Sequence, residues 1–281
     1  MTEINKKNNS TDALKENARD LRMDILEATT KAGSGHLSSS LSSVEILTSL
    51  FFDGILNYRS SEPLWPDRDR FIMSKGHAAP LLYAVLAKAG YFPREELWRL
   101  RQAGSPVQGH PILGCVPGVE ATTGSLGQGI SLGIGQILGG RLTGKNYRAY
   151  VLIGDGECQA GQIWESAMAA SHYKMEELTV ILDYNKFQEM GPVSREMALE
   201  PFADKWQSFG WYVEEVDGHD VEKVSASLKS LQKIKNKPSI LIAHTIKGKG
   251  ISFVEADFKW HGRAIKDPEQ YKLAEKEILC A

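Results

Sequence analysis

The hydrophobic positions of the chain follow two patterns, one typical of helices with a buried face and one typical of buried strands. Apolar residues recur every three or four positions in three segments, which is the spacing of one buried helix face. Ser10 and Asp12 suit the start of the first predicted helix and Gly33 its end, while Asp220 suits the start of the third. The apolar positions are Leu14, Ala18, Leu21 and Ile25, then Val44, Leu47 and Phe51, and then Val224, Leu228 and Leu231.

Continuous apolar runs rich in branched residues alternate with helical segments. They lie at 148–156, 177–185 and 238–248, with a shorter run at 211–217. Strands that alternate with helices predict an α/β fold, with an open parallel sheet and helices on both faces. Ligands of such sheets bind beyond the carboxyl ends of the strands, which is where the polar residues that end these runs fall.

The length and composition indicate one ordinary globular unit. No internal repeat, low-complexity tract or linker interrupts the 281 residues, of which 42% are hydrophobic and 24% charged. The simplest organisation is a disordered stretch over 1–10 followed by a single domain over 11–281.

The charge and the cysteines exclude several classes of protein. A formal net charge of −2 gives no general attraction to nucleic acid or to an anionic membrane, so an anionic ligand must be held by local geometry. No apolar run approaches the about 20 residues of a membrane span, and the polar start predicts no signal peptide. Cys115, Cys158 and Cys280 form no CxxC pair. We therefore expect a cytoplasmic protein that binds neither nucleic acid nor membrane.

Oxygen-bearing side chains follow two of the predicted strands. Asp155 stands in the GDG sequence at 154–156, and Asn185 ends the next strand about thirty residues later, which leaves room for one crossover helix. Two such side chains at neighbouring strand ends can converge on Mg²⁺, and the glycines let a diphosphate approach the main chain. For an isolated GDG, the alternative of a simple turn in which Asp155 caps the next helix is the more common one.

Glycine also surrounds a second group of candidate residues. The segment TTGSLGQG at 122–129 enters a small-residue helix, whose free N–H groups suit an anion, although close helix packing would equally require small residues. Four histidines that stand in loops beside glycine are candidates, because imidazoles there can bind phosphate or move protons. They are His36, His77, His110 and His261, and they show no HxH or HExxH spacing typical of zinc.

Together these segments resemble the transketolase family of thiamine-diphosphate enzymes. GDG followed by Asn resembles the signature of such enzymes in general, and further segments narrow the resemblance to transketolases. They are GSGH at 33–36, DRFIMSKGHAAPLLYA at 69–84, GHP at 109–111, TTGSLGQGIS at 122–131, HTIKGKG at 244–250 and WHG at 260–262. They stand in the family's order and cover nearly the whole chain, so the resemblance implies the pyrophosphate-binding domain of the thiamine-diphosphate-binding fold.

The resemblance also implies a role for individual residues. Asp155, the Asn185 side chain and the main-chain carbonyl of Phe187 would bind Mg²⁺ or another divalent cation. The thiamine diphosphate and its surroundings would be held by His77, Gly124, Ser125, Leu126, Gly156, Asn185 and His261. The catalytic residues lining the substrate channel would be His36, His110 and His261.

The resemblance further implies a partner. In transketolases, the glutamate that contacts the aminopyrimidine ring lies in a second, pyrimidine-binding domain. We expect that domain on a separate C-terminal transketolase subunit, which would join this chain in a heterotetramer with two copies of each. The assembled enzyme would use Mg²⁺ and thiamine diphosphate to transfer a two-carbon ketol unit from a ketose donor, a sugar phosphate or other anionic sugar, to an aldose.

Two other functions are compatible with the same residues, and three positions differ from the family's usual sequence. The alternatives are part of a deoxyxylulose-phosphate-synthase-like or 2-oxoacid-decarboxylating enzyme, and a non-catalytic regulatory partner that binds cofactor. Ala160 replaces the family's usual glutamate, Leu37 replaces a common proline, and FQEMG at 187–191 replaces the usual run. These departures favour a substrate other than the common pentose phosphates.

Overall fold

The computed structural model describes residues 10–280. The predicted disorder over 1–10 therefore lies, apart from Ser10, outside the described residues and stays a prediction, as does the single domain over 11–281. Five strands and ten helices are described within this range. The strands are β1 Arg70–Met73, β2 Ala149–Gly154, β3 Leu178–Tyr184, β4 Tyr212–Asp217 and β5 Ser239–His244. The helices are α1 Thr11–Ala32, α2 Leu37–Leu41, α3 Val44–Phe52, α4 Ala79–Lys88, α5 Gly129–Leu142, α6 Gly161–His172, α7 Val193–Glu196, α8 Phe202–Ser208, α9 Val221–Leu231 and α10 Pro268–Cys280.

The strands form one parallel sheet in the order β1-β2-β3-β5-β4. β2 and β3 pair so that Gly154 lies opposite Asp183. Their polar ends, which carry Asp155 and Asn185, therefore reach the same edge of the sheet. The parallel sheet and all four predicted strands are confirmed.

Helices cover both faces of the sheet, as predicted, because successive side chains of each buried strand point to opposite sides. On β2, Tyr150 and Leu152 join the larger core with α1, α2, α3, α4, α9 and α10. Val151 and Ile153 join the second core with α5, α6 and α8.

The predicted helix ends are also confirmed. Ser10 caps α1 by accepting a hydrogen bond from the N–H of Ala13, and Gly33 ends it in the left-handed region at φ 60°. Asp220 caps α9 by accepting from the N–H groups of Glu222 and Lys223.

One strand was missing from the sequence prediction. β1 has only four residues, and all four are buried, so its sequence RFIM shows neither the alternation of a half-buried strand nor the length of a helix. Its position at the sheet edge beside β2 brings Ser74 and Lys75 to the polar end of the sheet. Among residues 10–280, no helix is both long and apolar enough to cross a membrane.

Candidate active site

A cavity of about 350 Å³ opens at the carboxyl ends of the strands. Its lining includes ten of the residues that the sequence predicted: His36, His77, His110, Gly124, Leu126, Asp155, Gly156, Asn185, Phe187 and His261. The eleventh, Ser125, lies on the exposed turn beside the cavity and is not part of its lining. Segments spread over more than two hundred residues of the sequence thus meet in one place.

Asp155 joins the ends of β2 and β3. Its Oδ1 accepts from the N–H of Gly156 at 2.7 Å, capping a short 3₁₀ helix over Gly156–Gln159, and its Oδ2 accepts from the N–H of Lys186. The capping role and the cavity-facing role are therefore held by the same side chain. Burial, and then the negative charge of Asp183, raise the pKa of the Asp155 carboxyl to about 7.

Asn185 is held in one orientation at the tip of β3. Its Nδ2 donates to Asp183 Oδ2 at 2.8 Å, and its Oδ1 accepts from the N–H of Phe187 at 3.1 Å. Among the described residues, no donor is bonded to the carbonyl oxygen of Phe187. One carboxylate, one amide oxygen and one free carbonyl in the same cavity are the kinds of oxygen that Mg²⁺ prefers, so the donor set fits this ion.

The four loop histidines converge. The ring centroid of His36 lies 5.1 Å from those of His77 and His261 and 6.3 Å from that of His110. Burial lowers the pKa of His36 to about 4 and that of His261 to about 3, assisted by the positive charges of nearby groups such as Lys247. Burial also lowers the pKa of His77 and of His110. The imidazoles are therefore neutral at physiological pH and can accept or donate a proton.

These lowered pKa values predict acid sensitivity of the fold. An unfolded chain takes up a proton at His36 near pH 6.5, whereas the folded chain does so only near pH 4. The unfolded state binds more protons between these values, so the free energy of unfolding should fall as pH decreases through this window. Denaturant titrations of the wild type and of His36→Gln at intervals from pH 7 to 4 would measure it. The variant should lose less stability over the window, and an unchanged dependence on pH would contradict the assignment.

The sequence analysis did not identify the buried residues that support the cavity lining. Asp183 and Lys75 form a fully buried ion pair. Asp183 also accepts from Ser42 Oγ at 2.7 Å and from Thr245 Oγ1. Burial acts to raise the pKa of Asp183, but the Lys75 charge and these hydrogen bonds outweigh it and lower the pKa to about 2. We call Lys75, Asp183, Ser42 and Thr245 the buried hub.

A second buried lysine, also missed, lies beside the hub. Lys247 lines the cavity and is 1% exposed, and its Nζ donates to Ser39 Oγ at 3.0 Å. Burial and the neighbouring Lys75 lower the pKa of Lys247 to about 8, so at neutral pH it places a positive charge in the cavity. The signal available in the sequence was a lysine beside glycine after an otherwise apolar strand.

The Glu157 side chain is buried and forms its hydrogen bonds within the chain. Its carboxylate accepts from Ser74 Oγ, from the N–H of Gly127 at 2.8 Å and from the N–H of Gly154 at 3.1 Å. It therefore ties the end of β1 and the glycine-rich turn before α5 to the GDG segment. Ala160 packs at the same place, since a side chain on Gly127 would lie 2.8 Å from its Cβ.

The cavity also offers room and unused polar atoms for a cofactor. Gly124 lines the cavity with φ 150°, and a Cβ there would lie 3.1 Å from the His110 ring, so glycine suits this position beside the histidine. Within residues 10–280, Nδ1 of His36 and Nδ1 of His261 are buried without a hydrogen-bond partner. With Lys247, these groups fit a diphosphate and its surroundings.

Several known proteins resemble the chain over most of its length. Residues 11–277 match the family described as transketolase, thiamine diphosphate binding domain. The chain is 40% identical over 257 residues to one of the subunits of apulose-4-phosphate transketolase from Phocaeicola vulgatus, covering 92% of this chain and 90% of that protein. It is 39% identical over 265 residues to one of the subunits of 6-deoxy-6-sulfo-D-fructose transketolase from Clostridium sp., covering 94% and 96%.

A longer transketolase chain of known structure shares the same fold. The crystal structure of transketolase from Campylobacter jejuni superposes with a TM-score of 0.89 at 30% identity, covering 95% of this chain and 43% of that one. The chain thus spans less than half of the length of that transketolase chain but nearly all of the two subunits above. It belongs to the transketolase family, as a thiamine-diphosphate-binding domain.

Proposed function

We propose that this chain is the diphosphate-binding subunit of a two-chain transketolase that transfers a two-carbon ketol unit from an anionic ketose to an aldose. The observation that carries the proposal is one cavity in which four neutral histidines face the tips of β2 and β3. The match to one of the subunits of an apulose-4-phosphate transketolase, over nearly its full length, supports the two-chain part.

Different residues would bind Mg²⁺ and the diphosphate of the cofactor. Asp155, Asn185 and the carbonyl of Phe187 would hold the metal ion, and the charge of Lys247 would face the diphosphate. When bound, thiamine diphosphate would supply a nucleophilic carbon and an electron-accepting thiazolium ring for breaking the bond between C2 and C3 of a ketose.

The residues of this chain would bind and orient the sugar. His36, His110 and His261 are close enough to contact neighbouring hydroxyls of one ketose. As neutral imidazoles, they can take up or return the proton of a hydroxyl at their ring nitrogens. The names of the two relatives, one acting on a phosphorylated and one on a sulfonated sugar, support an anionic donor.

The partner and the location belong to the same proposal. The partner would be a C-terminal transketolase subunit that carries the pyrimidine-binding domain and its glutamate, assembled with this chain as a heterotetramer. A cytoplasmic location is supported by three free thiols, which a reducing compartment keeps unpaired.

Assays of the assembled pair would test the proposed function. The chain and its partner, supplied with Mg²⁺ and thiamine diphosphate, should move a two-carbon unit from a phosphorylated or sulfonated ketose to an aldose, as followed by mass spectrometry. His110→Ala should lower kcat/KM by about 10²–10⁴-fold if it moves protons in the reaction. Transfer by this chain without the partner would contradict the two-chain assignment, and no transfer with any anionic ketose would contradict the activity.

A further inference from the structure

The turn that carries Lys247 is held from two sides. On the cavity side, Lys247 Nζ donates to Ser39 Oγ at 3.0 Å, and the N–H of Gly248 donates to the carbonyl of Ser38 at 2.9 Å. The turn closes on itself where the N–H of Lys249 donates to the carbonyl of Ile246 at 3.2 Å. These contacts leave the opposite side of the turn to residues that do not line the cavity.

Two polar residues contact that opposite side, and a third joins them. Arg22 on α1, Glu45 on α3 and His219 after β4 form what we call the outer clamp. Glu45 lies between the other two, with Oε1 at 2.6 Å from Arg22 Nη2 and Oε2 at 3.0 Å from His219 Nδ1.

The outer clamp contacts the turn on both flanks of Lys247. Before the lysine, the N–H of Ile246 donates to His219 Nε2 at 2.7 Å. After it, Arg22 Nε donates to the carbonyl of Lys249 at 3.2 Å. The two contacts fix the main chain on either side of the residue whose ammonium group enters the cavity.

The hydrogen bonds define the tautomer of His219. Because Nε2 accepts from the main chain, the proton must be on Nδ1, which donates to Glu45. Burial acts to raise the pKa of Glu45, but Arg22 and His219 outweigh it and lower the pKa, so Glu45 is charged. A buried ion pair often adds little net stability over apolar residues of similar volume, so stability alone does not explain the outer clamp.

We propose that the outer clamp positions Lys247 for the diphosphate of the cofactor. None of its three residues lines the cavity, so the clamp would act through the main chain of the turn. The inference rests on the proposed function, because it takes the cavity as a thiamine diphosphate site. It assigns a purpose to three polar residues that the site chemistry otherwise leaves unused.

A double-mutant cycle on the assembled enzyme tests the inference. The Kd for thiamine diphosphate at saturating Mg²⁺ would be measured by calorimetry for the wild type, His219→Leu, Lys247→Met and the double variant. His219→Leu should weaken binding by about tenfold, the scale found when a group that supports a ligand-binding residue is lost. In the Lys247→Met background, His219→Leu should not change the Kd further, because the lysine through which His219 acts is already absent.

Two variants serve as controls. His219→Gln keeps an acceptor for the N–H of Ile246 and should bind the cofactor about as tightly as the wild type. His172→Leu makes the same replacement at an exposed position at the end of α6 and should leave the Kd unchanged. His219 and Glu45 line a second cavity of about 460 Å³, so a substitution there meets open space instead of a closed core, and the variant should fold.

The outcomes separate this inference from the proposed function. The clamp does not act through Lys247 if the fold-changes in Kd of the two single variants multiply in the double variant. The same conclusion follows if His219→Leu binds thiamine diphosphate as tightly as the wild type does. If the wild-type enzyme itself binds no thiamine diphosphate, the proposed function fails and the clamp has no ligand to serve.

Discussion

Replacing Asp155 by alanine should abolish magnesium-dependent retention of thiamine diphosphate. Asp155 is the one carboxylate of the proposed metal-binding set, beside an amide and a carbonyl oxygen that carry no charge. Loss of a group that merely supports a metal ligand costs about 10–100-fold in affinity, so loss of the charged ligand itself should cost more than about 100-fold. Equilibrium dialysis with Mg²⁺ and the cofactor, on the chain assembled with its partner, would measure this directly.

The comparison needs two controls. Asp155→Asn keeps the shape of the side chain and an oxygen that can cap the Gly156–Gln159 turn, so a loss that it shares with alanine is due to the missing charge. Asp204→Ala removes an exposed carboxylate of α8 and should bind as the wild type does. Normal magnesium-dependent binding by Asp155→Ala would show that the ion lies elsewhere.

The largest effect on stability is expected at the buried hub. Asp183→Ala leaves the Lys75 ammonium group buried without its counter-charge and frees the amide of Asn185 from its fixed orientation. Breaking a buried pair from one side costs about 3–5 kcal/mol, which for a domain of this size lowers the Tm by roughly 6–20 °C. Thermal unfolding followed by circular dichroism would show the shift.

Removing both charges should repair part of the damage. The double variant Lys75→Met with Asp183→Asn buries no unpaired charge and should recover at least half of the lost Tm. A double variant as unstable as Asp183→Ala would show that the hydrogen bonds of Ser42 and Thr245 matter more than the ion pair.

The fold was predicted well from the sequence where a segment had a clear period. The 22 residues of α1 carry a capping serine, a regular apolar face and a terminal glycine, so even its ends were predicted correctly. β1 was missed because four consecutive buried residues at a sheet edge have no period that distinguishes them. Only the pairing with β2 gives that segment its conformation.

For the candidate site, the groups that face a ligand were easier to predict than those that support them. His36, His110 and Asp155 stand beside glycine, where a polar residue is conspicuous. Asp183 is one residue from the end of its strand, and its importance comes from Lys75, more than one hundred positions earlier. Contacts of this kind follow from the packing of the sheet and have no local pattern in the chain.

The buried hub and Glu157 bear on how the enzyme could acquire new substrates. Residues that bind two or three other segments cannot change without a large loss of stability, so we expect variation at other positions of the cavity lining. Gln159, Gln188 and Glu189 are such positions, because they line the cavity. Within residues 10–280, the side-chain hydrogen bonds of the two glutamines reach main-chain groups alone, at Met197 for Gln159 and at Met190 for Gln188. In related enzymes that use other ketose donors, we therefore expect substitutions at Gln159, Gln188 and Glu189. The residues at the ends of β2 and β3 should stay the same.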